Sequence, residues 1–182
     1  TLLRDIEYEL ARKGQMLAFE PLDLGPVMDQ PAGATTIGGV FATNASGSRR
    51  VSAGAARDHL VGVHCVAGSG EVFRSGGRVL RNAAGFDLCR AVCGSWGTLA
   101  VLCETAFRVV PRPEETATLV LLGLTDEIAV EAMCAALGTP FQVSGAVHVT
   151  AGLGQRFWHG GLRETFSGRW LRRPRSAPDD TR

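Results

Sequence analysis

Apolar residues at Leu2, Leu3, Ile6 and Leu10 fall on one face of a helix, and Gly14 after Lys13 supplies a C-terminal stop. The chain is thus predicted to open with a short helix. Leu60 to Val66 and Glu71 to Arg74 are apolar runs joined by Ala67-Gly68-Ser69-Gly70, the pattern of a β-hairpin. Asp87 is a candidate N-cap for a short helix through Leu88, Ala91 and Val92 that ends at Gly94. Leu99 to Val110 reads as one long strand, stopped by Pro111 and Pro113. Thr118 to Leu122 predicts a further strand, and Asp126 to Leu137 a helix capped by Thr125 or Asp126 and closed by Gly138. Gln142 to Val149 predicts a last strand. The succession makes an α+β fold without internal repeats.

One stretch fits none of these periods. Ala34-Thr35-Thr36-Ile37-Gly38-Gly39-Val40-Phe41-Ala42-Thr43-Asn44-Ala45-Ser46-Gly47 is rich in small, hydroxylated and glycine residues, and reads as a loop whose backbone is the contact surface. Adjacent glycines let N–H groups approach an anionic or flat polar ligand with no Cβ in the way. Such loops also make ordinary tight turns, and an edge loop without a ligand is the plainer alternative.

Composition narrows the function classes. The chain has 182 residues, 45% hydrophobic and 20% charged, enough for a sizeable core. No apolar run approaches the roughly 20 residues that span a bilayer, and Thr1-Leu2-Leu3-Arg4-Asp5 is unlike a signal peptide. The expectation is a cytoplasmic protein with no direct membrane insertion. Five cysteines, at 65, 89, 93, 103 and 134, fit neither a zinc site nor a disulfide framework, and Cys89 and Cys93 read as small buried residues on a helix face. No metal is expected. Residues 1–150 carry a net charge of −3 and residues 151–182 one of +4. The tail mixes Arg with Pro, Gly and Ser without a period, so it is expected to be disordered or aberrant, with no nucleic-acid role.

Two nucleotide motifs fail. After Gly68-Ser69-Gly70 the third glycine of a Rossmann fingerprint is replaced by Phe73, and strand-like text stands where a helix should open. The sole lysine, Lys13, has no glycine-rich loop ahead of it, which excludes a P-loop.

Taken with Arg57-Asp58-His59-Leu60-Val61-Gly62, Asn82-Ala83-Ala84-Gly85-Phe86-Asp87 and Gly94-Ser95-Trp96-Gly97-Thr98-Leu99-Ala100-Val101, the glycine-rich stretch resembles one family. The chain is similar to the second half of the FAD-binding domain of the vanillyl-alcohol oxidase superfamily, the FAD-linked oxidases. Gly76-Gly77-Arg78-Val79-Leu80-Arg81-Asn82, followed by Val109-Val110-Pro111-Arg112-Pro113, is most similar to the FAD-binding E-type subunits of bacterial glycolate oxidases. The resemblance covers residues 1–149. It implies the second lobe of an FAD-binding type-2 (PCMH-like) domain over residues 1–115, the start of an α+β cap over 116–150, and a tail, 151–182, outside the family text.

The same resemblance implies FAD as cofactor and Ala34, Thr35, Thr36, Gly38, Gly39, Thr43, Asn44, Ala45, Ser46, Gly97, Thr98 and Val101 as cofactor-binding positions. Thr35, Thr36, Asn44 and Ser46 would hydrogen-bond the cofactor while Gly38 and Gly39 keep space clear. It implies a small 2-hydroxy-acid substrate, a second flavin subunit and an iron-sulfur subunit as partners, and a place peripheral to the inner membrane through them. Another FAD-linked alcohol or 2-hydroxy-acid oxidoreductase, or a structural subunit that has lost flavin, stays open. Trp96, Ala100, Phe86 and Arg81 depart from the family pattern. The lobe that holds the FAD pyrophosphate in the family precedes this text, so the chain alone is expected to bind FAD weakly and to be inactive. No catalytic residue is assigned; His59 and His64 invite a reading as catalytic base or covalent flavin link, but His64 reads as a surface-facing strand histidine, and His148 and His159 lack catalytic neighbours in sequence.

Overall fold

The computed structural model describes residues 1–77 and 87–150, within two units, Thr1–Arg112 and Pro113–Arg182. Arg81, Asn82, Gly85, Phe86 and His159, with the whole basic tail, lie outside the described residues.

In the first unit, helix α1 spans Leu3–Arg12 and closes through Lys13 onto Gly14, whose φ of 64° only glycine adopts freely. Leu3 is buried, and Ile6 and Leu10 pack against the core, as their spacing predicts. Strand β1, Gln15–Met16, pairs antiparallel with β5, Val110–Pro111. Helix α2 spans Ile37–Thr43 and is followed by two single-turn helices, α3 at Arg50–Ala53 and α4 at Ala56–His59.

A three-stranded antiparallel sheet in the order β3-β2-β4 forms the other layer. Strand β2, Leu60–Ala67, is central, with β3, Val72–Gly76, on one side and β4, Ala100–Phe107, on the other. Helix α5, Leu88–Val92, starts at Asp87, whose carboxylate accepts the Arg90 N–H at 3.2 Å. Phe19 and Phe41 are fully buried between the layers with ring centroids 5.9 Å apart. Each contributes about 2 to 3 kcal/mol of burial.

The predicted single strand Leu99 to Val110 is divided. Strand β4 ends at Phe107, the Arg108 N–H turns to the His59 carbonyl at 2.8 Å, and Val110–Pro111 crosses to β1. The glycine-rich stretch is also corrected: its middle is a helix, because Ile37, Val40 and Phe41 bury one face and Thr36 caps the start.

In the second unit, helix α6 spans Asp126–Leu137, with the Thr125 hydroxyl accepting the Ile128 N–H at 3.5 Å. Residues 118–122 and 142–149 form no strand, although both read as strands in sequence. An extended run becomes a strand only by pairing its backbone, and neither finds a partner among the described residues. Here only the helix of the expected strand-helix-strand start is present.

Candidate functional site

A single carboxylate sets the approach to α2. Asp23 accepts the Thr35 hydroxyl at 2.6 Å, the Gly33 N–H at 2.6 Å and the Gly25 N–H at 3.1 Å. These bonds, that of Thr35 foremost, hold the Asp23 pKa below its ordinary value. The Leu3 N–H bonds the Thr35 carbonyl at 2.8 Å, so the loop is fixed to α1 as well. Ala34 closes the turn by donating its N–H to Pro31.

The start of α2 is then capped. The Thr36 hydroxyl accepts the Gly39 N–H at 3.1 Å and the Ile37 N–H reaches the Thr1 carbonyl at 3.2 Å. A Cβ built on Gly38 would meet only Thr36 Oγ1, at 4.0 Å, and one on Gly39 the same atom at 3.4 Å. Packing among the described residues therefore does not demand glycine at either position. Helix propensity argues against it, since glycine in a helix costs about 1 kcal/mol relative to alanine.

The end of α2 is held by side chains and by a distant loop. Asn44 takes left-handed backbone at φ 55°, the Ala45 N–H returns to the Val40 carbonyl, and the Thr43 hydroxyl donates to Gly39 at 2.8 Å. Asn44 Oδ1 accepts the Arg57 N–H and Ser46 Oγ accepts the Ala56 N–H, both at 2.9 Å, which ties α4 to the motif. From the other motif segment, the Gly94 N–H donates to Phe41 at 3.0 Å and the Trp96 N–H to Ala42 at 2.9 Å. Both carbonyls lie in the last turn of α2, where helical partners run out. The two glycine-rich segments are thus one structure.

Past that junction, Gly97 has φ 77° and open space where a Cβ would stand, and the Thr98 hydroxyl donates to Ser95 at 2.6 Å. Val101, facing Val66 across the sheet, is 63% exposed. Ser95 Oγ is buried without a hydrogen-bond partner among the described residues.

Six of the predicted side chains are tied into the chain's own hydrogen bonding. The hydroxyls of Thr35, Thr36, Thr43 and Thr98 and the Oδ1 and Oγ of Asn44 and Ser46 already have partners within the chain. They shape the backbone. Asp23 was not singled out in sequence, although Asp-x-Gly before a proline-containing loop is a turn signal. Glu20 was missed too: its carboxylate accepts Ser48 Oγ at 2.9 Å and the Arg49 N–H at 3.1 Å, ordering the turn after the motif.

The histidines lie apart from this chemistry, whereas Cys93 joins it by donating its thiol to the Phe41 carbonyl at 3.0 Å. His59 is a core residue 5.3 Å from the Phe19 ring, with Nε2 2.9 Å from the Ala53 carbonyl. His64 lies on the sheet face opposite the buried Val63 and Cys65, as its alternation predicts, and is half-buried there because Arg74 and Glu104 flank it on the neighbouring strands. His148 Nε2 lies 2.7 Å from Asp126 Oδ1, a neighbour that sequence distance concealed. Cys65, Cys89 and Cys93 are buried, and burial pushes the Cys93 thiol up to about 11. Among the described residues no His, Cys, Asp and Glu are grouped to hold a metal. A cavity of about 280 Å³ lies against α1, lined by Ile6, Leu10, Lys13 and Phe107 among others. None of its lining residues is a candidate.

Comparison with known proteins identifies the arrangement. Residues 1–76 match the family model described as an FAD binding domain. The chain is 40% identical over 119 residues to the glycolate oxidase subunit GlcE of Escherichia coli (strain K12), covering 65% of this chain and 32% of that protein. It is 39% identical over 88 residues to the glycolate oxidase subunit GlcD of Bacillus subtilis (strain 168), covering 48% of this chain and 19% of that protein. Over residues 1–76 the chain thus shares the FAD binding domain of the FAD-linked oxidases. Over 126 residues, 69% of this chain and 21% of the relative, it is also 35% identical to the mitochondrial D-lactate dehydrogenase [cytochrome] of Arabidopsis thaliana. Among solved structures, alkyldihydroxyacetonephosphate synthase matches 63% of this chain and 18% of that chain, with 26% identity and a TM-score of 0.47. The chain spans about a third or less of the length of the curated relatives it matches.

The residues of this chain fit a flavin nucleotide. Gly38 and Gly39 have only the Thr36 hydroxyl near where a side chain would stand, Gly97 has open space there, and Ser95 Oγ, two residues before Gly97, is an orphan among the described residues. Backbone held from both ends of α2 suits a flat, polar ligand that must be approached without reorganisation.

Proposed function

We propose that this chain is the flavin-embracing part of an FAD-dependent oxidoreductase that converts glycolate, or a similar small 2-hydroxy acid, to the 2-oxo acid. One observation carries the reading: Gly38 and Gly39 weaken α2 and their missing side chains relieve no contact among the described residues, so the space they leave serves something outside the chain's own packing. The FAD binding domain match and the two glycolate oxidase relatives support FAD as its occupant.

FAD, when bound, supplies acceptance of two electrons from the hydroxy acid. The chain's residues bind and orient it. Thr36 and Asn44 fix the two ends of α2, Asp23 fixes the entry, and the Gly94 to Thr98 loop closes the exit. We further propose a complex with a second flavin subunit and an iron-sulfur subunit that removes the electrons, in the cytoplasm and peripheral to the inner membrane. The two relatives, each named as a glycolate oxidase subunit, support an assembly of this kind.

The test is Gly38→Ala in the full-length protein. Alanine should raise the melting temperature of the flavin-free form, because helix propensity improves by about 0.5 to 1 kcal/mol. FAD retained through purification, read by its visible absorption, should fall. A more stable variant that keeps full flavin content would overturn the proposal.

A further inference from the structure

We infer that the Trp96 indole is a stacking platform for a planar heteroaromatic ring of the cofactor, an inference that rests on the flavin reading above. Trp96 has φ 56°, left-handed backbone that a bulky aromatic residue adopts only at a cost. Its neighbours impose that conformation. The Trp96 N–H is bound to Ala42, Gly94 and Gly97 have φ of 84° and 77°, and Thr98 doubles back on the Ser95 carbonyl through its N–H and its hydroxyl.

The chain's own packing gains little from the indole. Trp96 is 68% exposed, and among the described residues its ring stacks on no other ring and its indole N–H meets no acceptor. Leu99 and Val101, which follow it, are also more than half exposed. A strained, over-determined backbone that presents a large aromatic face outward marks a functional position. Glycine or asparagine would make this turn without strain.

The backbone of Trp96 is also tied to the candidate site. Trp96 is bonded to the last turn of α2, the helix whose first turn carries Gly38 and Gly39, so the ring and the glycine pair belong to one framework. Indole offers the broadest π face of any side chain, and flat heteroaromatic rings stack on such faces in offset geometry. FAD holds two rings of that class, isoalloxazine and adenine.

The experiment compares wild-type full-length protein with Trp96→Phe and Trp96→Gly. Wild type should retain FAD, and Trp96→Phe should bind it within about threefold, since a smaller ring still stacks. Trp96→Gly should bind FAD about tenfold more weakly or worse, the loss typical of removing one stacking partner. Its flavin-free form should melt no lower than wild type, because glycine adopts φ above zero freely. That opposition of affinity and stability separates a platform from a structural residue. If Trp96→Gly does not fold, Trp96→Asn, which also tolerates this backbone, takes its place. The Trp96 emission, taken as wild type minus Trp96→Phe, is then followed with riboflavin and with AMP. Quenching by riboflavin assigns the platform to isoalloxazine, quenching by AMP to adenine. Equal FAD affinity of Trp96→Gly and wild type, or an emission that neither ligand alters, overturns the inference and leaves flavin binding intact. Wild-type protein that binds no FAD overturns both.

Discussion

Asn44 and Arg57 are joined by a hydrogen bond of 2.9 Å from the Arg57 N–H to the Asn44 side-chain carbonyl, while Asn44 itself lies in left-handed backbone. One residue thus ends α2 and begins α4. Asparagine suits both tasks, since it tolerates positive φ and carries an acceptor on a short stem.

Asn44→Ala is expected to lose the bond and to strain the backbone, about 2 kcal/mol in all, whereas Asn44→Gly loses only the bond, about 1 kcal/mol. Urea unfolding should rank wild type above Asn44→Gly above Asn44→Ala. If alanine proves as good as glycine here, the left-handed assignment is wrong.

Gly76 ends β3 at φ 72°, and a Cβ there would run into the Val61 carbonyl and the Cys89 sulfur. Gly76→Ala should cost roughly 3 kcal/mol, through strain and overpacking of β2 together. Gly68, in the hairpin turn, has open space in the same place, so Gly68→Ala should stay within about 0.5 kcal/mol of wild type. Chemical denaturation of the pair measures the contrast.

Among the five thiols, only Cys103 and Cys134 are exposed, and they alone should take up iodoacetamide at pH 8 in the native state. Burial raises the pKa of Cys65, Cys89 and Cys93, the last to about 11 from 9.0. A raised native pKa means that the unfolded chain loses its proton first as pH rises. The stability is intact below pH 9 and declines between pH 9 and 11, for Cys93 by roughly 3 kcal/mol. Unfolding curves across that range, with Cys93→Ala as reference, should show the decline in wild type and a shallower one in the variant.

Much of this architecture was legible in sequence where local signals and tertiary context agreed. The apolar face of α1, the Ala67 to Gly70 turn, the Asp87 cap and the Thr125 cap each specify an element with few distant contributions. Helix α2 was illegible because Gly38 and Gly39 oppose it locally, and what restores it is burial of Val40 and Phe41. Residues 118–122 and 142–149 misled in the other direction: β-prone text cannot become a strand without a neighbour to pair with. At the site, the segments were readable, but the duties of their side chains were not. Whether Thr35 faces a ligand or Asp23 depends on a residue outside the motif, and only the folded loop reveals it.

The loop from Asp23 to Thr35 is held at its neck by one carboxylate, and its tip bonds mainly to itself. That division gives the segment an uneven tolerance to sequence drift. Asp23, Gly25, Gly33 and Thr35 set where α2 begins, whereas Val27, Met28 and Gln30 are exposed and can be rewritten without moving it. Lineages that share the helix are thereby free to diverge at the tip, acquiring new surface contacts while the geometry beneath stays fixed.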